Sequence, residues 1–264
     1  MKKYVSDLRI ASVGYPRDGY VLLRLTDDSG KLPEMFPGQF VEVRVDGSPD
    51  TFLRRPISIN YVDRRNNELW LLIHVVGNGT RTLATLKAGD TLNCVFPLGR
   101  GFSIPEKGGK KLLLVGGGVG TAPLLYYGEQ LRMSGNEPVF LLGGRTQSDL
   151  MQLDLFGQLG TVYVTTEDGS AGETGFVTNH SVWKQDTFDA VATCGPKPMM
   201  KAVALMAHER HIPCEASLEN MMACGVGACL ACVCQSKDVD DHSQVHNKRI
   251  CKDGPVFLAD EIEL

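Results

Sequence analysis

The sequence has no apolar run approaching the ~18 residues of a membrane-spanning helix. Its first residues, Met1 to Leu8, alternate charged and apolar positions and lack the apolar centre of a secretory signal. The expectation is a cytoplasmic chain that does not enter a membrane. An excess of positive charge is also missing, since 27 Lys and Arg stand against 31 Asp and Glu for a net charge of -4, with the basic residues scattered. This argues against nucleic acid or an anionic membrane surface as a partner, because both are held by a concentrated positive field. There is no internal repeat and no low-complexity tract. What remains is a 264-residue chain, 43% hydrophobic, long enough for two ordinary domains or two plus a small appendage.

Eight cysteines are present. In a reducing compartment such residues serve as metal ligands or packed thiols rather than disulfides. Cys94, Cys194 and Cys214 lie apart, whereas Cys224, Cys229, Cys232, Cys234 and Cys251 crowd the C-terminal end. Cys224, Cys229 and Cys232 follow the spacing C-x4-C-x2-C, and Cys251 comes after eighteen further residues. That is the plant-type [2Fe-2S] ligand spacing. Gly225 and Gly227, with Ala223, Ala228 and Ala231, keep the loop small enough for backbone amides to point at the sulfurs. The competing reading is a structural zinc site, which usually pairs two C-x2-C knuckles, and only one is present. Cys234 reads as a packed thiol. His211, His242 and His246 read as solvated side chains.

From Tyr4 to about Phe102, short alternating apolar runs are broken by turn residues: Val21 to Leu25, Phe40 to Val45, Leu69 to Val76 and Thr91 to Phe96. This pattern predicts an antiparallel β-barrel, with one short helix at Thr82 to Leu86. After the polar stretch Pro105 to Lys111 the pattern changes to continuous apolar runs at Lys111 to Val115, Val139 to Leu142, Thr161 to Thr165 and Ala190 to Thr193, separated by segments of helical length. Buried parallel strands alternating with helices give an α/β domain. The fold class expected is multi-domain: an antiparallel β-barrel over residues 1–103, an α/β parallel-sheet domain over 104–212 and a small cysteine-rich domain over 213–264, in which a cluster replaces a core.

Three motifs carry chemistry. In Arg55-Pro56-Ile57-Ser58, the Arg and a Ser on one extended segment suit a phosphate and a flavin ring or ribityl group, although an Arg beside Arg54 equally marks a solvated strand edge. Gly77-Asn78-Gly79-Thr80 precedes the expected helix as a pyrophosphate-cradling loop does, or as an ordinary Asn-Gly turn with Thr80 as its cap does. Val115 to Pro123, with Gly116, Gly118 and Gly120, joins a buried strand to a helix and allows close backbone approach to a phosphate. It does not follow the G-x-G-x-x-G offsets, and no acidic residue closes the next strand, which disfavours a dehydrogenase-type Rossmann domain. Cys194, in Cys194-Gly195-Pro196 at a strand's carboxyl end, is either near a ligand crevice or simply a buried thiol.

The order of these motifs, with Pro97-Leu98-Gly99 and Thr166-Glu167-Asp168-Gly169-Ser170, resembles the ferredoxin-reductase superfamily over nearly the whole chain. With the C-terminal cysteines it is similar to the electron-transfer subunits of class B, NAD-dependent dihydroorotate dehydrogenases. The resemblance implies FAD on Arg55, Pro56, Ile57 and Ser58, on Leu72, Ile73 and His74, and on Gly79 and Thr80. It implies NAD at Gly116, Gly118, Gly120 and Cys194, and a [2Fe-2S] cluster on Cys224, Cys229, Cys232 and Cys251. The gap before Cys251, with the acidic run Asp238 to Asp241, is longer than usual for the family. The implied partner is a separate FMN-containing dihydroorotate dehydrogenase catalytic subunit, in a heterotetramer of two of each chain, serving pyrimidine biosynthesis. No acid, base or nucleophile set for dihydroorotate is visible here, which agrees with that division. A reductase subunit serving ferredoxin, glutamate synthase or a hydrogenase would share the cofactors, and a zinc-stabilised binding module would share neither.

Overall fold

Six strands close the N-terminal barrel in a computed structural model that describes residues 2–240 and 244–264. They are β1 (Tyr4–Gly14), β2 (Tyr20–Thr26), β3 (Phe40–Val43), β4 (Arg55–Asp63), β5 (Glu68–His74) and β6 (Thr91–Leu98), in the order β1-β2-β5-β4-β3-β6, with helix α1 (Asn78–Leu83) between β5 and β6. Side-chain alternation sends Val21, Leu23 and Leu25 of β2 and Leu69, Leu71 and Ile73 of β5 into the barrel core. The other face of the same strands is also covered, with Tyr20, Leu22, Trp70 and Leu72 packing on Ala122 and Met151 of the next domain. Burial on both faces is why these strands read as nearly unbroken apolar runs.

Two barrel strands stand outside the four expected runs. The charged-apolar alternation at the N-terminus is β1, whose Leu8 and Ile10 are fully buried while Asp7 and Arg9 face solvent. β4 carries Pro56 and four half-buried residues at its start, so it shows no clean period. The helix expected at Thr82 to Leu86 begins earlier, at Asn78. The Thr80 hydroxyl draws the turn closed by accepting the N–H groups of Val76 (2.9 Å) and Gly77 (3.0 Å). Gly79 and Thr80 therefore lie inside the first turn rather than ahead of it.

The second sheet has seven strands, β7 (Lys111–Gly117), β8 (Glu137–Gly144), β9 (Thr161–Thr166), β10 (Glu173–Thr174), β11 (Ala190–Cys194), β12 (Cys214–Ser217) and β15 (Val256–Leu258), in the order β10-β9-β8-β7-β11-β12-β15. All pair in parallel except β15. Helices α2 (Ala122–Met133), α3 (Leu153–Leu159), α4 (Val182–Gln185) and α5 (Lys197–Glu209) complete this half, and β13 (Val233–Gln235) pairs with β14 (Asn247–Arg249) in a small ribbon. The strands β12 and β15, beyond residue 212, extend this sheet. The C-terminal region also has a core of its own: Leu218, Met222, Cys232, Ile250, Cys251, Phe257 and Ile262 pack with Met200 of α5 and with Phe40 and Leu98 of the barrel.

Helix α2 joins the two large halves. Tyr126 donates to the carbonyl of Met35 (3.0 Å), and its ring meets Tyr61 edge-on. Asn60, fully buried on β4, donates to the carbonyl of Ala122 (2.9 Å) and exchanges a reciprocal amide pair with Gln152 (3.1 and 3.0 Å). Arg17 pairs with Asp149 across the same boundary. Among the described residues no helix is long and apolar enough to cross a membrane.

Candidate functional site

The ligand loop runs between β12 and β13. Gly225 and Gly227 both have positive φ (64° and 89°), a conformation that side-chain-bearing residues rarely adopt. The turn they make directs the backbone N–H groups of Val226 and Ala228 to Cys224 Sγ, each at 3.4 Å. Burial works against ionisation of Cys224, but the N–H groups of Val226, Cys229 and Ala228, together with the Cys229 thiol, outweigh it and bring its pKa down to about 6. Cys232 and Cys251 are buried, and Cys232 Sγ accepts the N–H of Cys251 at 3.4 Å. Burial, then the neighbouring Cys232, pushes the Cys251 thiol up.

The four cysteines thus lie as two pairs, Cys224 with Cys229 and Cys232 with Cys251. Among the described residues no three His, Cys, Asp or Glu side chains gather tightly enough to hold one metal ion. Two cysteine pairs with amides aimed at sulfur suit the ligand demand of a two-iron core, in which each iron takes two protein ligands. Despite the long preceding gap, Cys251 lies beside Cys232 and within electrostatic reach of Cys224. Cys234, on β13, is half-buried, and burial raises its pKa. His211 and His246 are exposed, and His242 and Asp241 lie outside the described residues.

The flavin motif opens β4. Arg55, Pro56, Ile57 and Ser58 are all half-buried and pair in register with Val43, Glu42, Val41 and Phe40 of β3. A Cβ on Gly79 would lie 3.0 Å from Arg55 Nε and 3.1 Å from Thr51 Cγ2, so the arginine side chain rests directly on the first turn of α1. This brings together two motifs that begin twenty-two residues apart in sequence, leaving a cation beside first-turn N–H groups that have no intrahelical acceptor. The Thr80 hydroxyl is occupied inside this turn. Leu72 and Ile73 bury their side chains in the two barrel clusters, so only their backbone is available to a ligand. His74 is exposed and stacks on Tyr20 (4.5 Å between centroids, 6° between planes), and partial burial, then the Arg17 cation, lowers its pKa.

In the parallel sheet the chain leaves β7 toward β8 on one side and later fills β11 on the other, so the carboxyl ends of β7 and β11 flank the switch point where α/β sheets bind ligands. Gly116 pairs with Cys194 across that point. The glycines differ in purpose. A Cβ on Gly116 would strike Leu124 Cδ1 (2.8 Å) and Thr121 Cγ2 (2.9 Å), and one on Gly120 would strike Gly195 Cα (2.4 Å), so both serve internal packing. Gly118, with φ of 58°, faces open space. Cys194 is 1% exposed, and burial pushes its thiol far up, so it is a neutral packed group at the floor of the crevice.

Comparison with known proteins decides the kinship. Residues 219–263 match the family model "Iron-sulfur cluster binding domain of dihydroorotate dehydrogenase B". The chain is 43% identical over 229 residues to the dihydroorotate dehydrogenase B (NAD(+)) electron transfer subunit of Shouchella clausii, covering 86% of each chain. The chain belongs to the dihydroorotate dehydrogenase B electron-transfer subunit family. The same named subunit of Caldanaerobacter subterraneus subsp. tengcongensis is 42% identical over 233 residues, 88% of each chain. Among solved structures, this family member superposes with a TM-score of 0.85 and 31% identity on a chain of the NADH-dependent reduced ferredoxin-NADP oxidoreductase, covering 98% of this chain and 90% of that one. A ferredoxin NADP+ reductase from Neisseria gonorrhoeae shares the fold alone, at a TM-score of 0.61 and 17% identity over 78% of this chain and 91% of that one.

Two residues at the family's cluster loop escaped the sequence reading. Arg249, on β14 and 6% exposed, donates through Nε to Asp253 Oδ2 (3.0 Å), lies 3.8 Å from Asp240 Oδ1 and reaches the carbonyl of Gly227 (3.5 Å). It ties the strand before Cys251 to the loop after Cys224. The only signal was its place two residues ahead of Cys251. Breaking a buried pair costs ~3–5 kcal/mol, and the partial exposure of Asp253 puts Arg249→Ala near the lower end. Denaturant titration should show that loss, together with faster bleaching of the cluster absorbance. The second residue is Glu42. Burial, opposed by Arg54, pushes its pKa up to about 7, with Cys224 adding to the rise.

Proposed function

We propose that this chain is the electron-transfer subunit of an NAD-dependent dihydroorotate dehydrogenase, working in the cytoplasm in pyrimidine biosynthesis. FAD is held by the segment Arg55 to Ser58 with Gly79 and Thr80, NAD at the β7–β11 crevice, and the [2Fe-2S] cluster by Cys224, Cys229, Cys232 and Cys251. The reading rests on one observation above all: the cysteine loop packs on β3, and β3 pairs residue for residue with the flavin motif on β4. That adjacency supports a one-electron site on the cysteine loop close to a two-electron site on β4.

Dihydroorotate gives up two electrons and two protons on becoming orotate. NAD+ takes both electrons and one proton, and the other proton goes to solvent. The substrate step belongs to an FMN-containing partner subunit, in a heterotetramer of two of each chain. The bound cofactors supply conversion of single electrons into a hydride. This chain's residues do the holding. Arg55 neutralises phosphate, the α1 turn presents N–H groups, Gly118 leaves room for a second nucleotide, and the Val226 and Ala228 amides support the cluster's thiolates. The Asn60–Gln152 pair and Tyr126 hold the two nucleotide-binding halves in fixed relation.

The likeness to a ferredoxin-NADP oxidoreductase chain favours one second reading, a reductase subunit with another partner. Co-purification with the neighbouring dehydrogenase subunit, followed by an anaerobic assay of dihydroorotate-dependent NADH formation, separates the two. NADH formation is expected, and a reconstituted complex that reduces NAD+ only from ferredoxin contradicts the proposal.

A further inference from the structure

Glu42 is the most anomalous polar residue near the cluster loop. It is 1% exposed, and among the described residues neither carboxylate oxygen has a hydrogen-bond partner. Burying a carboxylate in this way is unfavourable, and such groups are retained where they serve a site. Two arginines are near but are used otherwise. Arg54 donates to the carbonyls of Glu42 (3.2 Å) and Asn93 (3.0 Å) and to Asn93 Oδ1 (2.5 Å), and Arg55 donates to the carbonyls of Leu53 (2.8 Å) and Arg54 (3.3 Å).

The carboxylate points instead at the cluster loop. A Cβ on Gly225 would lie 2.6 Å from Glu42 Cγ and 2.9 Å from its Oε1, so only glycine admits it. Gly225 directly follows Cys224. On the neighbouring strand, Glu42 pairs with Pro56 of the flavin motif. Glu42 thus touches the residue that follows Cys224 and lies in register with the flavin motif on the adjacent strand.

We propose that Glu42 is a positioning residue for electron transfer, which seats the Cys224 loop against the flavin strand and holds the cluster's reduction potential low. The proposal rests on the reading of the four cysteines as cluster ligands. A negative charge in a poorly solvated gap disfavours an added electron, and cluster potential follows local charge and hydrogen bonding to sulfur. A lower potential favours passing the electron on to the flavin.

The test is an anaerobic potentiometric titration of the holoprotein at alkaline pH, where the carboxyl is ionised, with the reduced cluster read by EPR. Glu42→Gln keeps the shape and removes the charge. Its reduced-to-oxidised ratio at a fixed potential should rise about tenfold, a shift of about 59 mV for a one-electron couple. Glu42→Asp, which restores the charge, should move back toward wild type. An intact cluster in Glu42→Gln with an unchanged midpoint overturns the proposal. If Glu42→Gln retains no cluster, the comparison passes to Glu42→Leu and Glu42→Asp, and equal midpoints in any charged and uncharged pair overturn it equally. A wild-type protein without iron would overturn the cluster reading itself, and this inference with it.

Discussion

Cys229→Ser is expected to yield a folded protein that keeps its flavin and loses its iron. Cys229 is exposed and outside the core in which Cys232 and Cys251 pack with Phe40, Leu98 and Phe257, so its replacement removes a sulfur without opening a cavity. The remaining partner of the pair, Cys224, owes its low pKa to amides aimed at a thiolate, and a serine hydroxyl beside it is a far weaker iron ligand. The barrel core is built from other residues entirely, and the Arg55 contact with α1 does not depend on the loop. Iron and sulfide analysis, the EPR signal of the reduced cluster and the flavin content of the same sample provide the check. Dihydroorotate-dependent NADH formation in the reconstituted complex should fall to background, while NADH still bleaches the flavin band. Joint loss of iron and flavin would contradict separate sites.

Arg55→Ala should have the next largest effect, on flavin retention. Arg55 is half-buried, its aliphatic stem lies on Gly79, and no carboxylate pairs with it among the hydrogen bonds and ion pairs described. A charge-assisted contact to phosphate is worth ~1.5–3 kcal/mol, so the FAD dissociation constant should rise roughly ten- to hundredfold. Equilibrium dialysis or fluorescence titration of released FAD measures it. Arg55→Lys should recover only part of the loss, since an ammonium lacks the planar fork. An unchanged FAD affinity would remove Arg55 from the site.

The legible parts of this molecule are those where one physical signal dominates. Val21 to Leu25 and Lys111 to Val115 announce their strands because a strand covered on both faces must be apolar throughout, and the cysteine spacing announces a cluster because few other uses require it. β4 hid because Pro56 and the half-buried Arg55, Ile57 and Ser58 beside it break the strand period. The start of α1 was misplaced because Thr80 caps from within the helix through its hydroxyl, whereas a cap is normally sought outside it. The joining of β12 and β15 to the parallel sheet had no local trace, since three- and four-residue strands carry too few positions for a pattern.

Glu42 illustrates a different limit. In Phe40 to Val43 a single glutamate stands in an alternating apolar run, with nothing local to mark which face it takes. The barrel instead turns that face toward the cysteine loop, a contact set by residues more than 180 positions away in the chain. Arg249 is similar, because the Gly227 carbonyl, twenty-two residues back, reaches it only through the fold.

The central claim is that the C-terminal thiolates carry an iron-sulfur cluster next to a flavin bound on β4 and α1. Anaerobic purification followed by metal analysis and a visible spectrum addresses it most directly. Iron and acid-labile sulfide in equal amounts are expected, together with FAD, with absorbance from both groups falling when NADH is added. A colourless protein containing zinc, or neither metal nor flavin, would contradict it.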